Sequence, residues 1–252
     1  MMRLRRVVLA RGSRGYRALV KRSADATAAI ETFDELESSP APPRGDATSI
    51  VRVRYSSLNY KDGLVLSGAK GVAKYPVVPG INLVGEVMID APFGPPRGTR
   101  VVCVNGALGQ TADGGYAEFA RVATPDLTPL PPTLEDVDAA AIGTAGFTAM
   151  QCVLHLERYG GMTEPAEVLV TGAAGGVGSL AVALLAARGH TVVASSSRAD
   201  AEEAYLKALG AAHVVDRLEA PAKPLDRVRF DYAVDTVGGA PLAHALTRLA
   251  PR

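Results

Sequence analysis

Residues 167–179 read EVLVTGAAGGVGS, and the parsing of this stretch decides the fold. Val168, Leu169 and Val170 form a short apolar run, largely β-branched, the pattern of a buried strand. Gly172, Ala173, Ala174, Gly175 and Gly176 follow at once. Residues 180–187 are then apolar and helix-forming, up to a stop at Gly189. Strand, small-residue turn and helix predict the opening unit of a dinucleotide-binding domain. Ala173, Gly175 and Gly178 fill the GxGxxG spacing, with alanine in the first place. Gly175 lets the backbone approach a pyrophosphate, and Gly178 lets helix and strand pack closely. The helix N-terminus, with Val177 in its first turn, faces the phosphates.

Downstream, residues 190–195 read as a second strand and 200–209 as a helix, with Tyr205, Leu206 and Leu209 as its apolar stripe. Glu203 and Lys207 stand at the favourable i,i+4 spacing, and Gly210 closes the helix. Val214 and Val215 give a third strand, residues 230–237 a fourth, and a helix starts at Pro241. Thr171 and Gly172 border the glycine turn. Val237 and Gly238 end the fourth strand at the carboxyl edge, where sites form in open α/β sheets; their backbone is expected to matter more than Asp235. A doubly wound sheet usually has six parallel strands. Four are placed here, so the sheet reads as incomplete.

The second strand ends in Ser195, Ser196, Ser197 and Arg198, with no acid until Asp200. An NAD site wants Asp or Glu at that place for the ribose hydroxyls. Hydroxyls and a guanidinium suit a 2′-phosphate instead, so the expected cofactor is NADPH. Tyr205 and Lys207 are weaker candidates for the same phosphate.

Upstream the pattern changes. Residues 16–21 read as a strand and 32–43 as a polar, then proline-rich loop. Residues 49–55 alternate apolar with Arg52 and Arg54, as a strand with one wet face does. The segment SSLNYKDGLVLSG follows, read as a loop that gathers Asn59, Tyr60, Lys61 and Asp62. A strand end and turn at 77–80, strands at 83–89 (interrupted by Gly85), 99–104 and 116–122, and a flexible loop at 105–115 predict a compact antiparallel, barrel-like domain. Near Pro131 helical composition begins. Thr133 and Asp136 stand at the capping-box interval. The helix is punctuated by Gly143 and Gly146, resumes over 147–158, and ends at Gly160 and Gly161.

A chain of 252 residues, 48% apolar and 21% charged, has room for two domains. No run approaches the length of a membrane span. Cys103 and Cys152 suggest neither a disulfide framework nor a metal cluster, which favours a reducing compartment and, by default, a cytoplasmic protein. The net charge of +1 implies no polyanionic partner and no nucleic acid. Residues 1–22 hold eight of the 27 basic side chains and none of the 26 acids, leaving 19 basic against 26 acidic, net −7. This leader is also the composition of an organelle transit peptide.

Seven ordered segments (SSLNYKDGLVLSG, VPGINLVGEV, GGYAEFARV, IGTAGFTAM, VTGAAGGVGS, YLKALGA and DTVGG) resemble the zinc-independent medium-chain dehydrogenase/reductase superfamily, in its quinone oxidoreductase-like and acrylyl-CoA reductase branch. The resemblance implies a basic extension over 1–14, a GroES-like, barrel-like catalytic domain over 15–132, and a Rossmann-like NADPH domain over 133–252. It also implies a homodimer for the complete protein, and a further C-terminal part of roughly seventy residues carrying the last two strands and a return segment of the catalytic domain. Zinc relatives have Gly-His-Glu where this chain has Gly80, Ile81 and Asn82. His155, His190, His213 and His244 show no ligand spacing, so no metal is expected.

On that resemblance, Asn59 and Tyr60 sit beside the nicotinamide and substrate. Asn59 is the expected positioning donor, Tyr60 the donor or proton source, and Asp62 the residue that orients Lys61 or Tyr60. Thr144 and Thr148 face the cofactor in relatives, Thr148 being the better nicotinamide contact. The implied reaction is hydride delivery to the β-carbon of an α,β-unsaturated carbonyl or thioester such as acrylyl-CoA, with hydrogen-bond donors on the enolate oxygen and a proton for the α-carbon. Lys61, Lys70, Lys74 and Arg100 are candidates for a CoA groove. Reduction of a quinone or enone, and a non-catalytic NADPH-binding role, stay open as alternatives.

Overall fold

The computed structural model describes residues 15–34, 47–104, 107–218 and 230–250. The basic extension over 1–14, the proline-rich part of the loop over 35–46 and the start of the 105–115 loop lie outside them. The chain forms two compact units, residues 1–144 and 145–252.

The second unit is built on a parallel sheet of β8 (Glu167–Thr171), β9 (Thr191–Ser195), β10 (His213–Val215) and β11 (Tyr232–Val234), in the order β10-β9-β8-β11. The chain runs one way from β8 through β9 to β10, then crosses back to place β11 on the other side of β8. The direction of winding reverses between β8 and β11, so the switch point of the sheet lies at their carboxyl ends. β8 is buried on both sides, as a central parallel strand requires. Val168 and Val170 face one core with Val182, Leu185 and Leu206, while Leu169 faces another with Val193, Phe230 and Ala245. Helix α3 (Gly176–Ala187) supplies Val182 and Leu185, α4 (Ala199–Ala208) supplies Leu206 and α5 (Gly239–Leu246) supplies Ala245, while Val193 belongs to β9 and Phe230 stands just ahead of β11. β11 is shorter than the 230–237 run suggested.

In the first unit, β3 (Thr48–Tyr55), β4 (Leu83–Ile89), β5 (Arg100–Cys103), β6 (Phe119–Ala123) and β7 (Thr128–Pro129) form an antiparallel sheet in the order β6-β3-β4-β5-β7. β4 runs unbroken through Gly85. Val51, Leu83, Val87, Val101, Cys103, Ala120 and Val122 make its core. β1 (Tyr16–Val20) pairs with β2 (Ala29–Phe33), a strand not expected from sequence, whose last two residues fall in the segment read as the 32–43 loop. An isolated bridge between Ala18 and Ala117 ties this ribbon to the segment ahead of β6. β2 was hidden because its residues are mostly exposed and do not alternate cleanly.

Three further expectations are corrected. The LNYKD segment is not all loop, since α1 (Tyr60–Leu66) starts at its tyrosine. After Pro131, α2 (Asp136–Arg158) is two helical stretches meeting at a kink at Gly143, as expected, with a φ of 41° and a ψ of −148° outside the helical region; Gly146 makes no break. It begins at Asp136 itself, so Thr133 does not cap it with Asp136 three positions inside. By length and mean hydropathy (1.3) α2 is also long and apolar enough to cross a membrane, contrary to the sequence reading, although Gly143 interrupts it.

Candidate functional site

The carboxyl ends of β8, β9 and β11 gather the residues of the glycine turn. The positive φ that the turn requires falls on Gly172 (59°), one residue ahead of the alanine in the motif's first place. Ala173 is fully buried. Its N–H donates to the Ser195 carbonyl at 3.0 Å, which fixes the turn against the end of β9. A Cβ on Gly178 would lie 2.3 Å from the Gly172 carbonyl oxygen, so helix and turn approach as only glycine permits. Gly175 caps α3, and no side chain closes that end of the helix. The N–H groups of Gly176, Val177 and Gly178 begin the helix, where the helix itself supplies no acceptors. Gly175 and Gly176 are exposed and Ala174 half-buried. This is a cradle for an anionic group, and a pyrophosphate fits its chemistry.

The floor of the switch point is braced. Thr171 Oγ1 donates to Asp235 Oδ1 at 2.5 Å and accepts the Thr236 N–H at 3.1 Å. Thr236 Oγ1 donates to the Thr171 carbonyl at 2.9 Å. Asp235 Oδ2 accepts the Gly238 N–H at 2.7 Å. Thr171 therefore serves the frame of the turn, and the Asp235 side chain sets the Val237–Gly238 backbone that the sequence reading ranked above it. Val237 is half-exposed, and Gly238 precedes α5 with a φ of 75°.

At the end of β9, Ser195 Oγ donates to the Asp216 carbonyl at 3.1 Å. Ser196 Oγ donates to Glu202 Oε2 at 2.7 Å and accepts the Arg198 N–H at 3.2 Å. Arg198 Nε donates to Glu202 Oε1 at 2.7 Å, and the two side chains form an ion pair. Ser197 is exposed. The sequence reading found no acid before Asp200 and overlooked Glu202, which α4 returns to this corner at the i,i+4 spacing from Arg198. The Ser196 hydroxyl, with the Arg198 guanidinium, holds the Glu202 carboxyl below its ordinary range. Lys207 donates to the Ala212 carbonyl at 2.6 Å, closing α4 in place of the expected Glu203 pairing. Thr148 is half-buried on α2.

The LNYKD residues lie in the first unit. Asn59 precedes α1 and faces Asp62 across a capping box. Asp62 is fully buried. Its Oδ2 accepts from Asn59 N at 2.9 Å and Asn59 Nδ2 at 3.2 Å, and its Oδ1 from Gly80 N at 3.1 Å and Ile81 N at 2.9 Å. Asp62 therefore does not orient Lys61 or Tyr60; it staples the start of α1 to the 80–81 backbone. Asn59 Nδ2 also donates to the Ser57 carbonyl at 3.1 Å, so its donor capacity is engaged within the loop, contrary to the expected donor role. Tyr60, at 85% exposed, points its ring outward beside Leu58 at 79%.

Beneath this loop lie residues that motif reading passed over. Asn82 Oδ1 accepts the Ser57 N–H at 3.0 Å, and its Nδ2 donates to Ser57 Oγ at 2.7 Å and Thr144 Oγ1 at 3.4 Å. Tyr116 reaches the Ser57 carbonyl at 3.4 Å. Burial, reinforced by the Asp62 charge, pushes the Tyr116 phenol well above its ordinary value. Arg100, a candidate for a CoA groove, is engaged elsewhere: its Nε donates to Asp136 Oδ1 at 2.7 Å and its guanidinium to the Leu134 carbonyl. Among the described residues, no three His, Cys, Asp or Glu side chains are placed to share a metal ion, and Asn82 makes a structural clasp.

Two family models match the chain: an alcohol dehydrogenase GroES-like domain over residues 45–132 and a zinc-binding dehydrogenase over 176–252. The probable acrylyl-CoA reductase AcuI of Escherichia coli K12 is 43% identical over 224 residues, which cover 88% of this chain and 67% of that protein. The crystal structure of the yhdH oxidoreductase from Salmonella enterica in complex with NADP superposes with a TM-score of 0.83 at 39% identity, covering 92% of this chain and 71% of that one. The chain belongs to the medium-chain dehydrogenase/reductase superfamily. It falls in the quinone oxidoreductase-like and acrylyl-CoA reductase-like branch. Another member, the putative quinone oxidoreductase YhfP of Bacillus subtilis, is 41% identical over 79% of this chain and 62% of its own length, and its structure was solved with NAD bound. This member of the superfamily spans about two thirds of the length of the curated relatives it matches.

Proposed function

We propose that this chain belongs to an NADPH-dependent reductase of activated C=C bonds, acting on an α,β-unsaturated carbonyl or thioester of the acrylyl-CoA kind. The supporting observation is the bond from Ala173 N to the Ser195 carbonyl. It joins a pyrophosphate cradle to a corner of hydroxyls and guanidinium suited to a 2′-phosphate. The names of its relatives, and the NADP bound in the Salmonella enterica structure, favour the same reading.

When bound, NADPH supplies hydride for the β-carbon of the substrate. The residues of this chain do the rest. Gly176, Val177 and Gly178 present backbone N–H groups to the diphosphate, while Ser197 and Arg198 take the adenosine-ribose end. Asn59 and Asp62 hold the start of α1, and Tyr60, exposed there, donates a hydrogen bond or a proton to the substrate as negative charge develops on its carbonyl oxygen. With Arg100 paired to Asp136, basic contacts to a CoA moiety fall to Lys61, Lys70 or Lys74. No step is assigned to a metal, since no donor set for one is assembled among the described residues. The GroES-like sheet closing as a barrel, a homodimeric assembly and a cytoplasmic setting belong to the same proposal.

The test is loss of NADPH absorbance on adding acrylyl-CoA to the protein, with NADH and a simple quinone as controls. Turnover that prefers NADPH and the thioester is the expected result. Turnover with the quinone alone would move the assignment to quinone reduction, and NADPH binding without turnover on any acceptor would make this a non-catalytic binding protein.

A further inference from the structure

The corner at the end of β9 contains its own competitor for a 2′-phosphate. The Ser196 hydroxyl and the Arg198 guanidinium are two of the groups expected to hold that phosphate, and both are turned onto one carboxylate, Glu202. Glu202 is the anchored member of the set, with its side chain 17% exposed against 71% for Arg198. A guanidinium in an ion pair offers a second anion less than a free one does, and a carboxylate beside a phosphate repels it. Neither cost falls on a ribose that carries a plain 2′-hydroxyl, which a carboxylate can accept from.

Resting on the NADPH reading above, we infer that Glu202 sets the cofactor preference of this chain: it competes with the 2′-phosphate for Arg198 and Ser196 and so narrows the margin of NADPH over NADH. The glycine turn supplies the diphosphate affinity common to both cofactors. The Glu202 carboxylate determines how much the extra phosphate adds to it.

The test is binding rather than turnover. Dissociation constants for NADPH and NADH are measured by cofactor fluorescence on the full chain, for wild type, Glu202→Gln, Glu202→Ala, Arg198→Ala and the double variant Glu202→Gln/Arg198→Ala. Removing the charge at Glu202 is expected to tighten NADPH about fivefold, the upper range for an exposed ion pair, and to change NADH less than about twofold. In the Arg198→Ala background the gain disappears. Equal shifts for both cofactors, weaker NADPH binding in Glu202→Gln and Glu202→Ala, or a gain that survives loss of Arg198 overturns the inference while leaving the NADPH reading intact. Wild type that binds neither cofactor overturns the reading and the inference together.

Discussion

Asn82 and Ser57 are clasped twice, the Ser57 N–H donating to Asn82 Oδ1 at 3.0 Å and Asn82 Nδ2 donating to Ser57 Oγ at 2.7 Å. The clasp ends the loop between β3 and α1 on a buried amide, two residues before Asn59. Asn82→Ala removes both bonds and leaves the N–H of half-buried Ser57 without this partner, its Oγ keeping only the longer 3.4 Å bond from Asn59 Nδ2. Thermal unfolding should show a loss of about 1–3 kcal/mol, and reductase activity should fall with little change in NADPH affinity. Unchanged activity would mean that the position of Asn59 does not depend on this clasp.

Asp62 accepts four N–H donors in a fully buried site. In Asp62→Asn the new amide hydrogens face donors, and the variant should lose about 3 kcal/mol or more. Asn59→Ala, which removes a half-buried side chain, should cost less, about 1 kcal/mol. Equal melting temperatures for the two variants would contradict the assignment of Asp62 as the staple.

Tyr60 is so exposed that Tyr60→Phe should melt as wild type does. Its turnover with an enoyl thioester should fall by about 10²–10⁴-fold if the hydroxyl delivers the proton, with NADPH binding unaltered. A drop of less than about threefold would give the proton to solvent.

Two glycines of the same motif should differ sharply. A methyl at Gly178 would press to 2.3 Å on the Gly172 carbonyl, whereas one at Gly175 would reach only 3.2 Å from it. Gly178→Ala should lose both stability and NADPH binding, while Gly175→Ala should fold and bind measurably. Binding titrations alongside melting curves would show whether the order is reversed.

Asp136 links Arg100 and Arg54, which bond its two carboxyl oxygens. Burial is the largest single influence and acts to raise its pKa, but the Arg100 and Arg54 hydrogen bonds and charges together hold it below the ordinary value. Its stabilisation is therefore complete above the unfolded-state value of about 4 and disappears as the pH falls through the lower folded-state value. Asp136→Asn should lower stability at neutral pH and flatten that acid limb. A variant whose stability falls below pH 4 as steeply as wild type's would place the acid sensitivity elsewhere.

Much of the second unit was legible from sequence because its signals are local. Val168 to Val170 are buried on both sides and apolar on both sides, and the small-residue turn follows without a break. In the first unit, β2 carries exposed side chains and only a ribbon partner, so hydrophobic periodicity had little to report. The roles of Asp62 and Asn82 were hidden for another reason. Each acts across a sequence gap of about twenty residues onto backbone groups, and no side-chain pattern records which N–H a carboxylate will meet. Glu202 lies past the strand end, four residues beyond Arg198, and only the first turn of α4 returns it to this corner.

The Asp235 carboxylate, shared between Thr171 and Gly238, joins the ends of two strands that are not consecutive in the chain. Its consequence is entropic. A crevice wall whose backbone is already fixed on both sides of the switch point has little conformational freedom left to lose when a ligand settles into it, so more of each contact appears as affinity. Asp235 needs to touch no ligand for its removal to be felt as a weaker, slower-ordering pocket.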